Sequence, residues 1–155
     1  MNIIRLLKPC EASETVFDVD YARLFALGKR AVLFDLDNTL RRKWAASLFP
    51  GVEGLLERLG KMGFRIGIIT NRKCIAHDPL LHELTSQMNV ACRARKPNRA
   101  GYLSLLSNLG VAVDAAVMVG DRRLTDILGA NRLGMHTILL THPRRNDNPG
   151  KQNAS

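Results

Sequence analysis

The sequence predicts an α/β fold, a three-layer doubly wound parallel sheet, because short apolar runs alternate with helical periods and because two of those runs end in clustered aspartates. Ala31 to Leu36 is an apolar run of the kind that a strand buried on both faces shows. Phe64 to Ile69, Ala115 to Val119 and Thr137 to Leu140 repeat that character. Between them, Val52, Leu55, Leu56 and Leu59 follow the i, i+3, i+4, i+7 spacing of a helix face, as do Tyr102, Leu105, Leu106 and Leu109, with Gly110 placed to end the second helix. Asp78 and Pro79 read as an N-cap and a first-position proline, opening a helix through Leu81, Leu84 and Met88. A further helix is expected from about Leu124 to Leu133, with Gly134 as its stop, and Val90 to Cys92 is read as an additional short strand. Strands alternating with helices require right-handed crossovers, hence a parallel sheet covered on both faces.

With 155 residues and 46% hydrophobic composition, the chain is expected to form one domain over 1–142, with 1–29 as an N-terminal segment packed on it. The tail, 143–155, is rich in Asn, Pro, Gly and basic residues and is predicted to be disordered. No run reaches the roughly 18 apolar residues of a membrane span. Without a signal-type cleavage site and with acidic residues near the N-terminus, the expected location is the cytoplasm, with peripheral contact at the inner membrane face. Cys10, Cys74 and Cys92 have no metal or redox spacing and are read as reduced thiols. The net charge of +9 implies attraction to polyanions without choosing among nucleic acid, anionic lipid and phosphorylated substrates.

Asp35, Asp37 and Thr39 end the first buried run, while Gly120, Asp121 and Asp126 follow the third. Ligand sites in open α/β sheets lie at the carboxyl ends of strands, so the acids converge if those two strands are neighbours. Crowded carboxylates repel, and a hard divalent cation with oxygen ligands is the usual reason to gather them. Magnesium fits best, since it binds few carboxylates and keeps positions for water and phosphate.

Taken in order, Asp35-x-Asp37-x-Thr39, Ile68 to Asn71, Lys96-Pro97 and Gly120-Asp121-x4-Asp126 resemble the four motifs of the haloacid dehalogenase (HAD) superfamily. The match runs from roughly Arg30 to Thr141. Asp35 to Leu40, Ala94 to Pro97, Leu124 to Asp126 and Asn131 to Gly134 are similar to its subclass IIIA, YqeG-like group, related to the phosphatidylglycerophosphate phosphatases. The resemblance implies a HAD-like Rossmannoid fold and a phosphatase in which Asp35 is the nucleophile. Asp37 would be the general acid and then the base. Thr70 and Asn71 would hydrogen-bond the phosphoryl group, Lys96 would neutralise its oxygens, and Mg2+ would be held by Asp35, Asp37 (through its backbone carbonyl), Asp121 and Asp126.

Between Thr39 and Thr70, and between Asn71 and Lys96, there is no length for a large cap domain, so an uncapped site is expected. Arg41, Arg42, Lys43, Arg72, Lys73, Arg93, Arg95, Lys96, Arg99, Arg122 and Arg123 are eleven of the 23 basic residues and all follow the motif strands. A basic rim on an open site suits a phosphate carried on something large. Three readings follow: a phosphatase of phosphatidylglycerophosphate or another phospholipid monoester at an anionic membrane surface, a phosphatase of a soluble or nucleic-acid phosphate, or a non-catalytic RNA-binding or ribonucleoprotein-binding protein. Two Tyr, five Phe and one Trp give no base-stacking series, which ranks nucleic acid lower. The residues do not set the oligomeric state.

Overall fold

The computed structural model describes residues 2–73 and 77–145. Its elements run α1 (Ile3–Leu6), β1 (Glu11–Ser13), α2 (Tyr21–Ala26), β2 (Ala31–Phe34), α3 (Val52–Met62), β3 (Arg65–Ile69), α4 (Pro79–Gln87), β4 (Asn89–Ala91), α5 (Arg99–Leu109), β5 (Ala116–Gly120), α6 (Leu128–Leu133) and β6 (His136–Leu140). Six strands form one sheet in the order β1-β6-β5-β2-β3-β4. All five pairings are parallel, as expected.

The period of two along each strand divides the core. Val32, Phe34, Ile68, Val117 and Val119 join the cluster that includes Leu24 of α2, Leu55 and Leu59 of α3, and Leu81 and Leu84 of α4. Ala31, Leu33, Ile69, Ala116 and Met118 pack instead with Tyr102, Leu105 and Leu106 of α5 and Ala130 of α6. Both faces of the central strands are therefore dry, which explains why those strands read as continuous apolar runs.

Local signals set the helix ends. Asp78 accepts a hydrogen bond from the Leu81 amide and Pro79 follows it, while Gly63, Gly110 and Gly134 close α3, α5 and α6 in the left-handed region. Two features depart from expectation. The predicted helix over 124–133 begins with a π-helical turn, Arg123–Ile127, before α6. The N-terminal segment also adds β1, whose Glu11, Ala12 and Ser13 pair with Ile138, Leu139 and Leu140 of β6. Cys10 is free but Cys92 is disulfide-bonded, which corrects the expectation of three reduced thiols. No helix among the described residues is long and apolar enough to cross a membrane. Most of the tail predicted to be disordered, 146–155, lies outside the described residues.

Candidate active site

The order in which strands are added reverses between β2 and β5: from β2 the chain moves outward through β3 and β4, then returns to place β5 on the opposite side. Phe34 is in register with Val119, and the Asp35 amide donates to the Val119 carbonyl at 3.0 Å. Asp35 therefore leaves its strand beside Gly120 and next to Asp121, at the switch point where an open sheet presents its crevice.

Asp126 reaches the same place through the π-helical turn. The Asp126 and Ile127 amides both donate to the Arg122 carbonyl, and the Tyr102 hydroxyl donates to the Thr125 carbonyl at 3.1 Å. The turn brings the Asp126 side chain back over the end of β5. A Cβ on Gly120 would lie 2.3 Å from Asp126 Oδ2, so this close approach requires glycine. Asp35, Asp121 and Asp126 each offer an oxygen within 4.8 Å of the others. Oδ1 of Asp121 is buried and has no hydrogen-bond partner in the structure. Three converging carboxylates with an orphaned buried oxygen fit a hard divalent cation.

Lys96 lies on the loop after β4. Its Nζ donates to Asp35 Oδ1 at 2.7 Å and to Asp126 Oδ1 at 2.6 Å, with the lysine and Asp126 buried. Asn71 fixes that loop: its Oδ1 accepts from the Lys96 amide at 2.7 Å and its Nδ2 donates to the Lys96 carbonyl at 3.4 Å. The Asn71 amide, expected to meet the phosphoryl group, is thus committed to the Lys96 backbone. Thr70 is buried at the end of β3, and its hydroxyl accepts from the Arg72 amide. A cavity of about 260 Å³ opens over these groups, lined by Asp35, Asp37, Thr70, Asn71 and Lys96 and by Lys43, Arg72 and Arg122.

The carboxylate of Asp37 stands apart from the cluster. Oδ1 accepts from Arg41 Nε at 2.9 Å and the Trp44 amide at 3.1 Å, and Oδ2 accepts from Arg72 Nε at 2.8 Å. Of the four acids expected at a metal, the cluster brings together the side chains of three; for Asp37 only the backbone carbonyl remains available to the expected role. The basic rim also needs correction. Arg41 is 1% exposed and forms a two-pronged pair with Asp78 at 2.7 Å on each prong. Arg72 is held by Asp37 and lies 3.4 Å over the Trp44 ring. Arg42, Lys43, Lys73, Arg93, Arg95, Arg99, Arg122 and Arg123 are exposed. The link from Arg41 to Asp78 was hidden in the sequence, where Arg41 reads as one more loop cation and Asp78 as a helix cap.

Crowding is visible in the electrostatics. Burial, then the charges of Asp35 and Asp126, pushes the Asp121 carboxyl up to about 7. Burial and Asp35 push Asp126 up to about 6 although Lys96 opposes the rise. Burial disfavours the charged form of Lys96, but Asp35 and Asp126 outweigh it and raise the ammonium above its ordinary value. Burial would raise Asp37 too, yet the hydrogen bonds from Arg72 and Arg41 hold it below the usual carboxylate range.

Comparison with known proteins gives the same class. A family model described as HAD-hydrolase-like matches residues 93–148. The Bacillus subtilis protein named Probable phosphatase YqeG is 28% identical over 136 residues, covering 85% of this chain and 76% of that protein. The chloroplastic phosphatidylglycerophosphate phosphatase 1 of Chlamydomonas reinhardtii is 32% identical over 142 residues, covering 86% of this chain and 52% of that protein. The chain thus spans about three quarters of the first relative and about half of the second. Among solved structures, a HAD phosphatase from Thermococcus onnurineus shares the fold, with a TM-score of 0.62 at 21% identity over 78% of this chain and 89% of that one. Fold and site define a HAD-like hydrolase. Residues 93–148 match that family's model, and the relatives the chain resembles are named as phosphatases.

Proposed function

We propose that the chain is a magnesium-dependent phosphomonoester hydrolase working through an aspartyl phosphate on Asp35. The observation that carries this reading is the convergence of Asp35, Asp121, Asp126 and Lys96 at the adjoining ends of β2 and β5. Asp35 is the only member of the acid cluster that also lines the open cavity, so it is the carboxylate a phosphorus atom can reach. Asp121 and Asp126, with Asp35 and the Asp37 carbonyl, would hold Mg2+, whose charge would offset that of the phosphoryl oxygens. Lys96 adds a fixed cation, and Thr70 a hydroxyl at the cavity wall. Asp35 attacks phosphorus and the bond to the leaving oxygen breaks; Asp37, whose resting carboxylate is held ionised by Arg72 and Arg41, relays to that oxygen the proton that a monoanionic phosphate ester brings in. Asp37 then takes a proton from the water that cleaves the acyl phosphate and restores Asp35.

The substrate proposed is a phospholipid monoester such as phosphatidylglycerophosphate. The name of the Chlamydomonas relative supports it, and so does the open site: β2 and β3 are joined by a loop and α3, and α4 is the one helix described between β3 and β4. Exposed cations around the cavity, with Trp44 in the loop after β2 at 58% exposure and Leu124 in the π-helical turn at 66%, suit an anionic surface with an apolar interior. The test is phosphate release with and without magnesium, by the wild type and Asp35→Asn, across phospholipid, nucleotide, nucleic-acid-end and sugar phosphates. Release that ignores magnesium or survives Asp35→Asn contradicts the mechanism. Preference for a soluble phosphate or a nucleic-acid end contradicts the lipid assignment alone.

A further inference from the structure

Arg41 is the buried cation that the reaction above leaves without a task. It is the largest fully buried side chain described. All three guanidinium nitrogens are engaged: Nη1 and Nη2 donate to the two oxygens of Asp78, Nη1 also reaches the Ala45 carbonyl at 3.2 Å, and Nε donates to Asp37. A guanidinium taken out of water loses hydration that an ion pair only roughly offsets, so stability is a weak reason for placing one here. Asp78 is itself anchored, since it caps α4 and its Oδ1 accepts from the Leu81 amide at 3.3 Å. A rigid fork thus joins the loop after β2 to the helix that follows β3.

The direction of that fork matters. Asp37 lies two residues from Asp35, yet its carboxylate oxygens face Arg41, the Trp44 amide and Arg72 rather than the acid cluster. Released from the fork, it would be a competing oxygen ligand for any cation held there. We propose that Arg41, anchored by Asp78, is the positioning residue that keeps the Asp37 carboxylate on the leaving-group side of the cavity and out of the Asp35, Asp121 and Asp126 cluster. The inference rests on the phosphatase reading of the same site. Arg72 is the more open of the two, 20% exposed and stacked on the exposed Trp44 ring, whereas Arg41 is buried and gripped on both prongs by Asp78. A lysine at 41 keeps the charge but lacks the planar fork that grips both carboxylates at once.

The experiment compares kcat/KM for an alkyl monoester, glycerol 3-phosphate, with that for 4-nitrophenyl phosphate, whose leaving group needs no proton. Arg41→Lys and Asp78→Asn are each made in the wild-type and Asp37→Asn backgrounds, and thermal melts establish which variants fold; Asp78→Asn loosens the fork without removing the buried cation. The expected result is a loss at least about 10-fold greater on the alkyl ester than on the aryl ester. In the Asp37→Asn background neither change should widen that ratio further. Equal losses on the two esters, or a selective loss that persists without Asp37, overturn the proposal while the phosphatase reading stands. A wild type with no magnesium-dependent activity on either ester overturns both.

Discussion

Lys96 Nζ lies 2.6 Å from Asp126 Oδ1, and the two side chains are 3% and 0% exposed. The contact closes the site at its floor, and its worth depends on what else is bound. Lys96→Met leaves Asp35 and Asp126 without the ammonium that bridges them. Breaking such a pair from one side costs about 3 to 5 kcal/mol. Magnesium should return part of that stability, since it replaces a missing positive charge, while activity stays reduced by about 10²-fold or more. Melts of the variant with and without magnesium, alongside phosphate release, measure both effects. A Lys96→Met protein as stable and active as the wild type would remove the lysine from the site.

The raised acids fix a sign for pH dependence. An acid whose pKa is higher folded than unfolded binds more protons in the folded state between the two values, so stability falls as pH rises across that interval. Asp121 at about 7 and Asp126 at about 6 start from an ordinary value of 3.8, which puts the loss in metal-free protein between about pH 4 and pH 7. Magnesium needs the ionised carboxylates, so its stabilisation should grow over the same interval. Melting temperatures at pH 5, 6 and 7.5 with magnesium and with chelator give the test. A magnesium shift that is flat or shrinks toward neutral pH would contradict the cluster as its site.

Gly120→Ala tests the π-helical turn without removing a charged group. The added methyl would overlap Asp126 Oδ2 and Cγ, at 2.3 and 2.5 Å, so Asp126 must move. Overpacking of this kind costs about 1 to 3 kcal/mol. The prediction is a modest loss of stability with a much larger loss of magnesium affinity, read by calorimetry. Unaltered affinity would show that Asp126 does not need this position to bind the ion.

Surface association calls for residues outside the cavity. Lys73, Arg93, Arg95 and Arg99 are exposed and do not line it. Each basic contact near an anionic leaflet is worth about 1 kcal/mol, so single changes should be nearly silent and the fourfold reversal to glutamate should strip the protein from anionic vesicles. Hydrolysis of 4-nitrophenyl phosphate should persist. Co-sedimentation at low and high salt decides the matter, and vesicle binding indifferent to both salt and reversal would discard the membrane surface.

The central sheet was legible because β2 and β5 are buried on both faces and so leave unbroken apolar runs, each ending in an aspartate. β1 was not, since Glu-Ala-Ser has neither an apolar run nor alternation, and it is held by pairing with β6 far along the chain. Motif order alone groups Asp35, Asp121, Asp126 and Lys96 in one candidate site. Arg41 misled for a physical reason: a loop arginine is ordinarily solvated, and only the arrival of Asp78 from a separate crossover makes its burial tolerable. Asn71 was placed at the site by its neighbour Thr70, but its grip on the Lys96 backbone depends on a tertiary contact across 25 residues that local sequence does not reveal.

Trapping the covalent intermediate tests the account most directly. Asp37→Asn should still accept the phosphoryl group from 4-nitrophenyl phosphate, because that leaving group needs no acid, and should then hydrolyse it slowly for want of a base. After an acid quench with radiolabelled substrate and magnesium, the label should sit as a base-labile acyl phosphate on the peptide that contains Asp35 and should vanish in the Asp35→Asn, Asp37→Asn double variant. Label on another residue, or turnover by the wild type with no covalent label trapped in Asp37→Asn, would contradict Asp35 as the nucleophile.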